Sequence, residues 1–476
     1  MQNTTRTIPI ATAKRILPWL VAVAFFMESL DATILNTAVP TIAEAIHVAP
    51  LSMKAALTSY MLSLAVFIPI SGWVADRFGS RRVFFSAIGV FTFGSLLCGL
   101  SSDIHELVLS RVLQGCGGAM MVPVGRLTLV RTFAKSELVR AMSYFSIPAM
   151  IGPMLGPLAG GFIVDYFPWR VIFFVNLPIG LLGLYLVHHY LPDYQAEKSD
   201  PLDFVGLVLF GSGISILSYV LEIFGEHTLS TTEVVGLLVI SLFLLLAYWR
   251  HSLTLAYPLL RLRLFLIRTF RSSVVGGLVT RLGIGGLPFL LPLLYQVGLG
   301  YTPLQSGMLM VPQPLAAMSL KMTMPAVITR FGYRRVLLSN TIFMGLLIAL
   351  FGTIGPGTPV WRICLQTLSF GYFSSLQFTA INTIVYADLT ESDLSMGSSI
   401  ASTMQQLSLS FGVAVSSLIA AFFIPDRGHA SAGEMISGIH DAFFVVGLLT
   451  FFSALVFRQL RPGDGDSVSQ HRGEVE

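Results

Sequence analysis

The chain has 476 residues, 54% of them apolar and only 11% charged, with a formal net charge of +4. Soluble domains carry roughly 25% charged residues, so a soluble enzyme or a basic nucleic-acid-binding domain is excluded and the charge is read as a topology signal. The three cysteines (Cys98, Cys116, Cys364) all lie in apolar runs, which fits neither a metal-ligand spacing nor a disulfide framework.

Apolar runs of ~18 residues or more recur along the chain, each long enough to cross a hydrocarbon core of about 30 Å. They predict fourteen helices, at 17–40, 51–75, 83–101, 106–130, 141–164, 169–190, 203–222, 233–249, 272–297, 304–328, 336–354, 360–385, 397–422 and 441–459. These are spans 1 to 14 below. The first run follows Lys14 and Arg15 but outlasts a signal peptide and offers no convincing cleavage site, so it reads as a retained span. An even number of spans puts both termini on one side. With that side cytoplasmic, 21 of the 29 lysines and arginines fall in inner loops and tails, and only Lys54, Arg170, Arg362 and Arg427 fall outside. The positive-inside rule favours this orientation. The expectation is a multi-pass protein of a bacterial inner (plasma) membrane with both termini cytoplasmic.

Two short stretches set the organisation. Residues 75–83 read ADRFGSRRV between spans 2 and 3, and residues 329–336 read TRFGYRRV between spans 10 and 11. The copies are eight helices apart, whereas a repeat of six would separate them by six. Spans 7 and 8 are therefore an insertion in a 6 + 2 + 6 all-α membrane protein of two parallel halves, a layout that places substrate sites between the halves. The expected units are a six-helix bundle at 1–190, an inserted hairpin at 191–250, a basic cytoplasmic connector at 251–271, a second bundle at 272–462 and a polar, disordered tail at 463–476.

Charges inside spans cost about 2.5–3.5 kcal/mol when they face hydrocarbon, so they should face the bundle interior or one another. At a rise of about 1.5 Å per residue, Glu28 lies ~16 Å from the cytoplasmic end of span 1 and Asp31 ~21 Å. Span 4 runs the other way and brings Arg111 to the level of Asp31, which predicts a contact between them. Two roles fit this pair, a proton-carrying site and a structural ion pair; Glu28 is a second carboxylate for a proton or a cationic substrate. Arg281, near the middle of span 9, has no evident acidic partner in spans 9 to 14 and is available to Glu28, Asp31 or an anionic substrate group. Lys321 can snorkel to water, and Glu222 and Arg126 read as membrane-edge anchors. Gly152, Gly156 and Gly160 lie four apart on span 5, a spacing that lets another helix approach closely, with Pro153 and Pro157 bending or stiffening that groove.

Four motifs in order carry a family resemblance. They are Leu30-Asp31-Ala-Thr33-Ile-Leu-Asn36-Thr-Ala38-Val39-Pro40 in span 1 and Gly72-Trp-Val-Ala-Asp76-Arg77-Phe-Gly79-Ser80-Arg81-Arg82 after span 2. Arg111-x-x-Gln114-Gly115 follows in span 4, and Gly152-x-x-x-Gly156-Pro157-x-x-Gly160-Gly161 in span 5. The chain resembles the major facilitator superfamily, specifically its fourteen-helix drug:proton antiporters, departing at Ser80, where a basic residue is common, and at Val39. The resemblance implies a major facilitator fold and proton-coupled export of small amphipathic compounds, with protons as coupling ion and no other cofactor. It assigns gating to Asp76, Arg77, Gly79, Arg81 and Arg82, with Asp76 latching the bundles at the start of span 13, near Gly397 and Ser398. It also puts the span 5 glycines at the bundle interface. Met27, Gln114, Met120, Tyr144, Phe145, Arg281, Gln377, Asn382 and Gln405 are candidates to line the substrate cavity, together with Met121, Met150 and Gln406. Partners beyond substrate and bilayer would be a periplasmic adaptor in a Gram-negative cell. Competing readings are a dedicated metabolite or siderophore exporter and a non-transporting sensor or scaffold. No phosphate-binding loop, metal-spaced cluster or soluble domain supports an enzyme.

Overall fold

The computed structural model describes residues 10–133, 151–152, 155–194, 201–223, 230–320, 324–390, 393–424 and 432–465. Tyr144, Phe145, Met150, Pro153, Lys321 and most of the polar tail lie outside them. Every regular element among the described residues is helical. Among the described residues, eleven helices are long and apolar enough to cross a membrane. The remaining three spans are span 5, helical over 155–166, span 10, which is broken, and span 12, Val360–Ile384, which carries Gln366, Ser374, Gln377 and Asn382.

Span 1 is Ile10–Ala45, with Pro18 and Pro40 inside it. Span 2 is Lys54–Phe67 and Ser71–Phe78, joined by a 3-10 turn at Ile68–Ile70 around Pro69. Proline cannot donate to the helical ladder, which explains the break. Spans 3 and 4 are Ser80–Leu100 and Ile104–Thr132, and the side chain of Asp103 caps the latter through the Glu106 N–H. Span 6 is Val171–Phe174 followed by Asn176–Tyr190. Spans 7 and 8 are Phe204–Ile223 and Thr231–Thr254, the second opened by a Ser230/Glu233 capping box. Span 9, Arg268–Leu293, ends in a π turn at Leu294–Gly298. Span 10 comprises Pro303–Met310 and Pro312–Leu320 and then continues from Met324 into span 11, which ends at Phe351. Spans 13 and 14 are Leu394–Phe423 and Ala432–Phe457.

Both repeated loops turn on a glycine with positive φ, +90° at Gly79 and +72° at Gly332, a region that side chains with a Cβ rarely enter. The likeness extends to the packing. A groove lined by Val74, Phe78, Arg82, Val83 and Ser86 has a counterpart lined by Val327, Phe331, Arg335, Val336 and Ser339, each the same residue type 253 positions on.

One buried core joins the two bundles at the end opposite these arginine loops. It contains Ile34, Leu35, Ala38 and Val39 of span 1 together with Ile284, Leu287, Phe289 and Leu290 of span 9. Toward the loop end it divides into a first-bundle cluster around Phe84 and Phe91 and a second-bundle cluster around Leu337 and Ile381. A further cluster seals one seam, where span 7 (Phe210, Ile214) and the connector (Leu259, Leu260, Leu264) cover spans 2 and 13. The inserted hairpin therefore leans on the bundles through span 7, while span 8 stays largely exposed, with Val239, Leu242 and Phe243 outward.

Candidate functional site

Asp31 and Arg111 meet in the middle of the first bundle, each only 1% exposed. The Arg111 Nη1 donates to Asp31 Oδ2 at 2.6 Å and to Gln114 Oε1 at 2.7 Å. Asp31 Oδ1 accepts from Gln114 Nε2 and Asn176 Nδ2, both at 2.8 Å. Ser95 Oγ accepts from the same two amides, at 2.6 and 3.0 Å. Arg111 Nε reaches the Ala56 carbonyl at 3.3 Å, and its guanidinium lies 4.2 Å over the Tyr60 ring. The carboxylate thus holds residues from spans 1, 3, 4 and 6 in one knot, and the neighbouring guanidinium balances its charge. A fully bonded buried pair of this kind rigidifies its surroundings, and removing one partner leaves an uncompensated charge.

Gln114, expected to line a cavity, is instead committed to this knot. Asn176 and Ser95 were not singled out in the sequence. The available signal was a lone amide in the run Val171–Pro178, which carries nothing else polar. Glu28, one turn before Asp31, is half-buried; its Oε2 is sequestered and has no hydrogen-bond partner among the described residues. It lies within electrostatic range of Asp31 and Arg126.

In the second bundle Arg281 is 3% exposed. Its Nη2 donates to Asn382 Oδ1 at 2.8 Å and its guanidinium lies 4.9 Å from the Phe378 ring. Its Nε has no partner among the described residues. Gln377, another cavity candidate, is buried and spent on helix packing, accepting from Asn340 at 2.8 Å and donating to Thr341 at 2.7 Å. Met27 is likewise core, packed with Tyr60 and Phe91. Gln405 is half-buried and Asn382 exposed. Met120 lies in the groove between spans 2, 3 and 4, beside Cys116 and Gly117.

The span 5 glycines seat span 1. A Cβ on Gly152 would stand 2.8 Å from that of Ser29, and one on Gly156 2.7 Å from that of Thr33. Thr37 Oγ1 donates across the seam to the Pro157 carbonyl at 3.1 Å. The opposite face meets the other bundle: Gly161 abuts Pro303 and Leu304, Gly307 abuts Pro157, and the Leu304 N–H donates to Asp165 Oδ2 at 2.9 Å. Gln296 also donates to the Thr37 carbonyl at 2.8 Å.

At the loop end, Asp76 pairs with Arg131 of its own bundle at 2.6 Å, both about a third exposed. The latch expected at Gly397 and Ser398 is not made in this conformation, and the reason is local. Span 13 begins earlier, at Leu394, and the Gly397 N–H already donates to the Asp393 carbonyl. Asp393 occupies the helix start and is itself paired with Arg261 at 2.6 Å. Arg81 bonds through its N–H to Asp193 at 3.1 Å and through its guanidinium to the His188 carbonyl, whereas Arg82 is exposed. Arg77 closes the last turn before Gly79.

Two halves turned on matched loops, with a buried carboxylate–guanidinium pair in the first, define a membrane transporter. The Major Facilitator Superfamily pattern matches residues 21–413, and the chain belongs to that family. It is 38% identical over 446 residues to a putative multidrug resistance protein MdtD of Pectobacterium atrosepticum, covering 93% of this chain and 95% of the relative. The protein of that name from Yersinia pestis is 36% identical over 463 residues, covering 96% and 98%. Among solved structures, a bacterial homologue of the human lysosomal transporter Spinster superposes with a TM-score of 0.66 at 12% identity, covering 98% and 99% of the two chains. An auto-inhibited POT family peptide transporter gives 0.66 at 16%, covering 94% and 98%. At such identities the likeness shows the fold alone.

Proposed function

We propose that this chain is a proton-coupled exporter of small amphipathic compounds, working by alternating access in a bacterial inner membrane with the arginine loops and both termini cytoplasmic. The observation that carries this reading is Asp31, a carboxylate 1% exposed and held by three donors from two other helices. In this conformation the guanidinium of Arg111 balances it. Rocking the bundles about the contacts of spans 5 and 10 parts spans 1 and 4 enough to admit water, and the carboxylate then exchanges its protein donors for a proton. One charge carried inward down 100 mV supplies about 2.3 kcal/mol, which drives substrate the other way. Asp76 and Arg131 form the contact that changes at the loop end as access alternates, with Gly79, Arg81 and Arg82 shaping the turn. The names of the relatives support drug export as the task.

The test is proton release from purified protein in weakly buffered detergent on addition of candidate compounds, for the parent chain and Asp31→Asn. The parent should acidify the medium and the variant should not. A variant that still releases protons, or transports with the parent's pH dependence, removes Asp31 from the coupling role.

A further inference from the structure

The two halves carry opposite charges at equivalent places. The offset of 253 residues that superposes the groove-lining residues of spans 2 and 3 on those of spans 10 and 11 also places Glu28 of span 1 on Arg281 of span 9. Helix packing agrees within a residue. Span 5 meets span 1 through Gly152 at Ser29 and Leu30, and span 13 meets span 9 through Gly412 at the carbonyls of Arg281 and Leu282. Spans 1 and 9 pack against each other, so the two charges lie on the helices that form the seam between the bundles.

Each group buries an atom that no bond among the described residues supports. Among the described residues Arg281 makes one hydrogen bond, to the neutral Asn382, and leaves Nε unsatisfied. It forms no ion pair among the described residues. Glu28 leaves Oε2 unsatisfied. The buried ions of the Asp31 knot are fully bonded, so this chain can satisfy such groups; here it does not. A buried guanidinium without a counter-charge is strongly unfavourable, and it stands at the position where the other half buries an unbonded carboxyl oxygen, a pair of sites that calls for a partner that comes and goes.

Resting on the exporter reading above, we propose that the substrate is a zwitterionic amphiphile. Its anionic group, a carboxylate, is taken by Arg281 as oriented by Asn382; its protonated amine is taken by Glu28; and its aromatic or aliphatic body lies along Phe378. A guanidinium binds a carboxylate by parallel charge-assisted hydrogen bonds, and a donor lost from such a contact weakens binding by one to two orders of magnitude. The arrangement also separates duties within span 1, with Glu28 for the ligand and Asp31 for the proton.

The test uses three fluorescent ligands that differ in one group each: Nα-dansyl-lysine, a zwitterion whose carboxylate and amine lie at opposite ends of the side chain; its methyl ester, which lacks the carboxylate; and its Nε-acetyl derivative, which lacks the amine. Binding is read from dansyl emission with the full chain in detergent micelles. The parent should prefer the zwitterion to both analogues by tenfold or more. In Arg281→Gln the preference over the ester should fall to within twofold while the preference over the acetyl derivative remains; Glu28→Gln should show the reverse. Asn382→Ala, which keeps the charge and is less demanding for folding, should reduce the first preference three- to tenfold. A parent that binds the three alike or binds none, or an Arg281→Gln that keeps its preference for acid over ester, overturns the proposal. Proton release that survives Asp31→Asn defeats the exporter reading instead, and leaves these binding ratios as they were.

Discussion

Replacing Asp31 by Asn changes one atom and disturbs four helices. Of the three donors on the carboxylate, the two amides can still find the Asn oxygen, at the 2.8 Å positions of Gln114 and Asn176. The new NH2 then points at Arg111 Nη1, which stood 2.6 Å from the lost oxygen, so donor meets donor. Arg111 is left buried without its counter-charge, a loss of about 3–5 kcal/mol from a fold whose whole stability is about 5–15 kcal/mol. The second substitution Arg111→Gln removes that orphaned charge and should restore stability to within about 1–2 kcal/mol of the parent. The two losses are therefore expected to be non-additive, as for residues in direct contact. Stability is followed by thermal unfolding in detergent, and proton coupling by quenching of a pH-sensitive dye in everted vesicles on adding substrate. The expected result is that the double variant recovers most of the lost stability and none of the coupling. A double variant no more stable than Asp31→Asn would refute the pairing argument. One that regains coupling would show that the carboxylate serves structure only.

Asn176→Leu should cost about 1–3 kcal/mol, because a buried carboxylate oxygen loses a donor, and should lower coupling without abolishing it, since Arg111 remains; both are read by the assays above. Gly161→Leu drives a side chain toward Leu304 of the other bundle, whose Cα would lie 2.8 Å from the new Cβ. It is expected to open the closed end, seen as a lower disulfide yield between cysteines placed at Asp165 and Leu304. At the loop end, burial pushes Asp203 upward, but the His251 side chain and the Leu259 and Gly206 N–H groups outweigh it and hold it below the usual carboxylate range. A depressed value means that its contribution is complete above the unfolded pKa of about 3.9 and is lost as pH falls through the folded one. Asp203→Asn should therefore lower the melting temperature at pH 7 and flatten the fall in stability below about pH 4, which melts across that range will measure.

The fold was legible because hydrocarbon leaves few choices. A run of eighteen apolar residues must be a helix, and a repeated R-F-G turn between such runs fixes the order of the halves. The Asp31–Arg111 contact was legible for a related reason, since rise per residue alone places both at one level. Gln114 and Gln377 were misplaced because rise gives depth but not azimuth. A glutamine facing a cavity and one bonded into a neighbouring helix have the same sequence signature. Asn176 escaped notice because its partner is 145 residues away. The latch at span 13 was misjudged by three residues, which at a helix start decides whether an N–H is free or already used.

The geometry also explains why the carboxylate can report on access although it lies within one bundle. Span 1 is held on one side by Arg111 and Gln114 through Asp31, and on the other by the span 5 glycines through Ser29 and Thr33. Span 5 in turn carries Gly161 and Asp165, which grip span 10 of the second bundle. Without a Cβ on Gly152 and Gly156 the backbones of spans 1 and 5 touch, and contact between backbones cannot absorb displacement as flexible side chains can. A rotation of the second bundle at span 10 is therefore transmitted through span 5 to span 1, within three residues of Asp31. Larger residues at those glycines would insert compliant side chains into that route, and the proton site would lose its connection to the gate before it lost its proton.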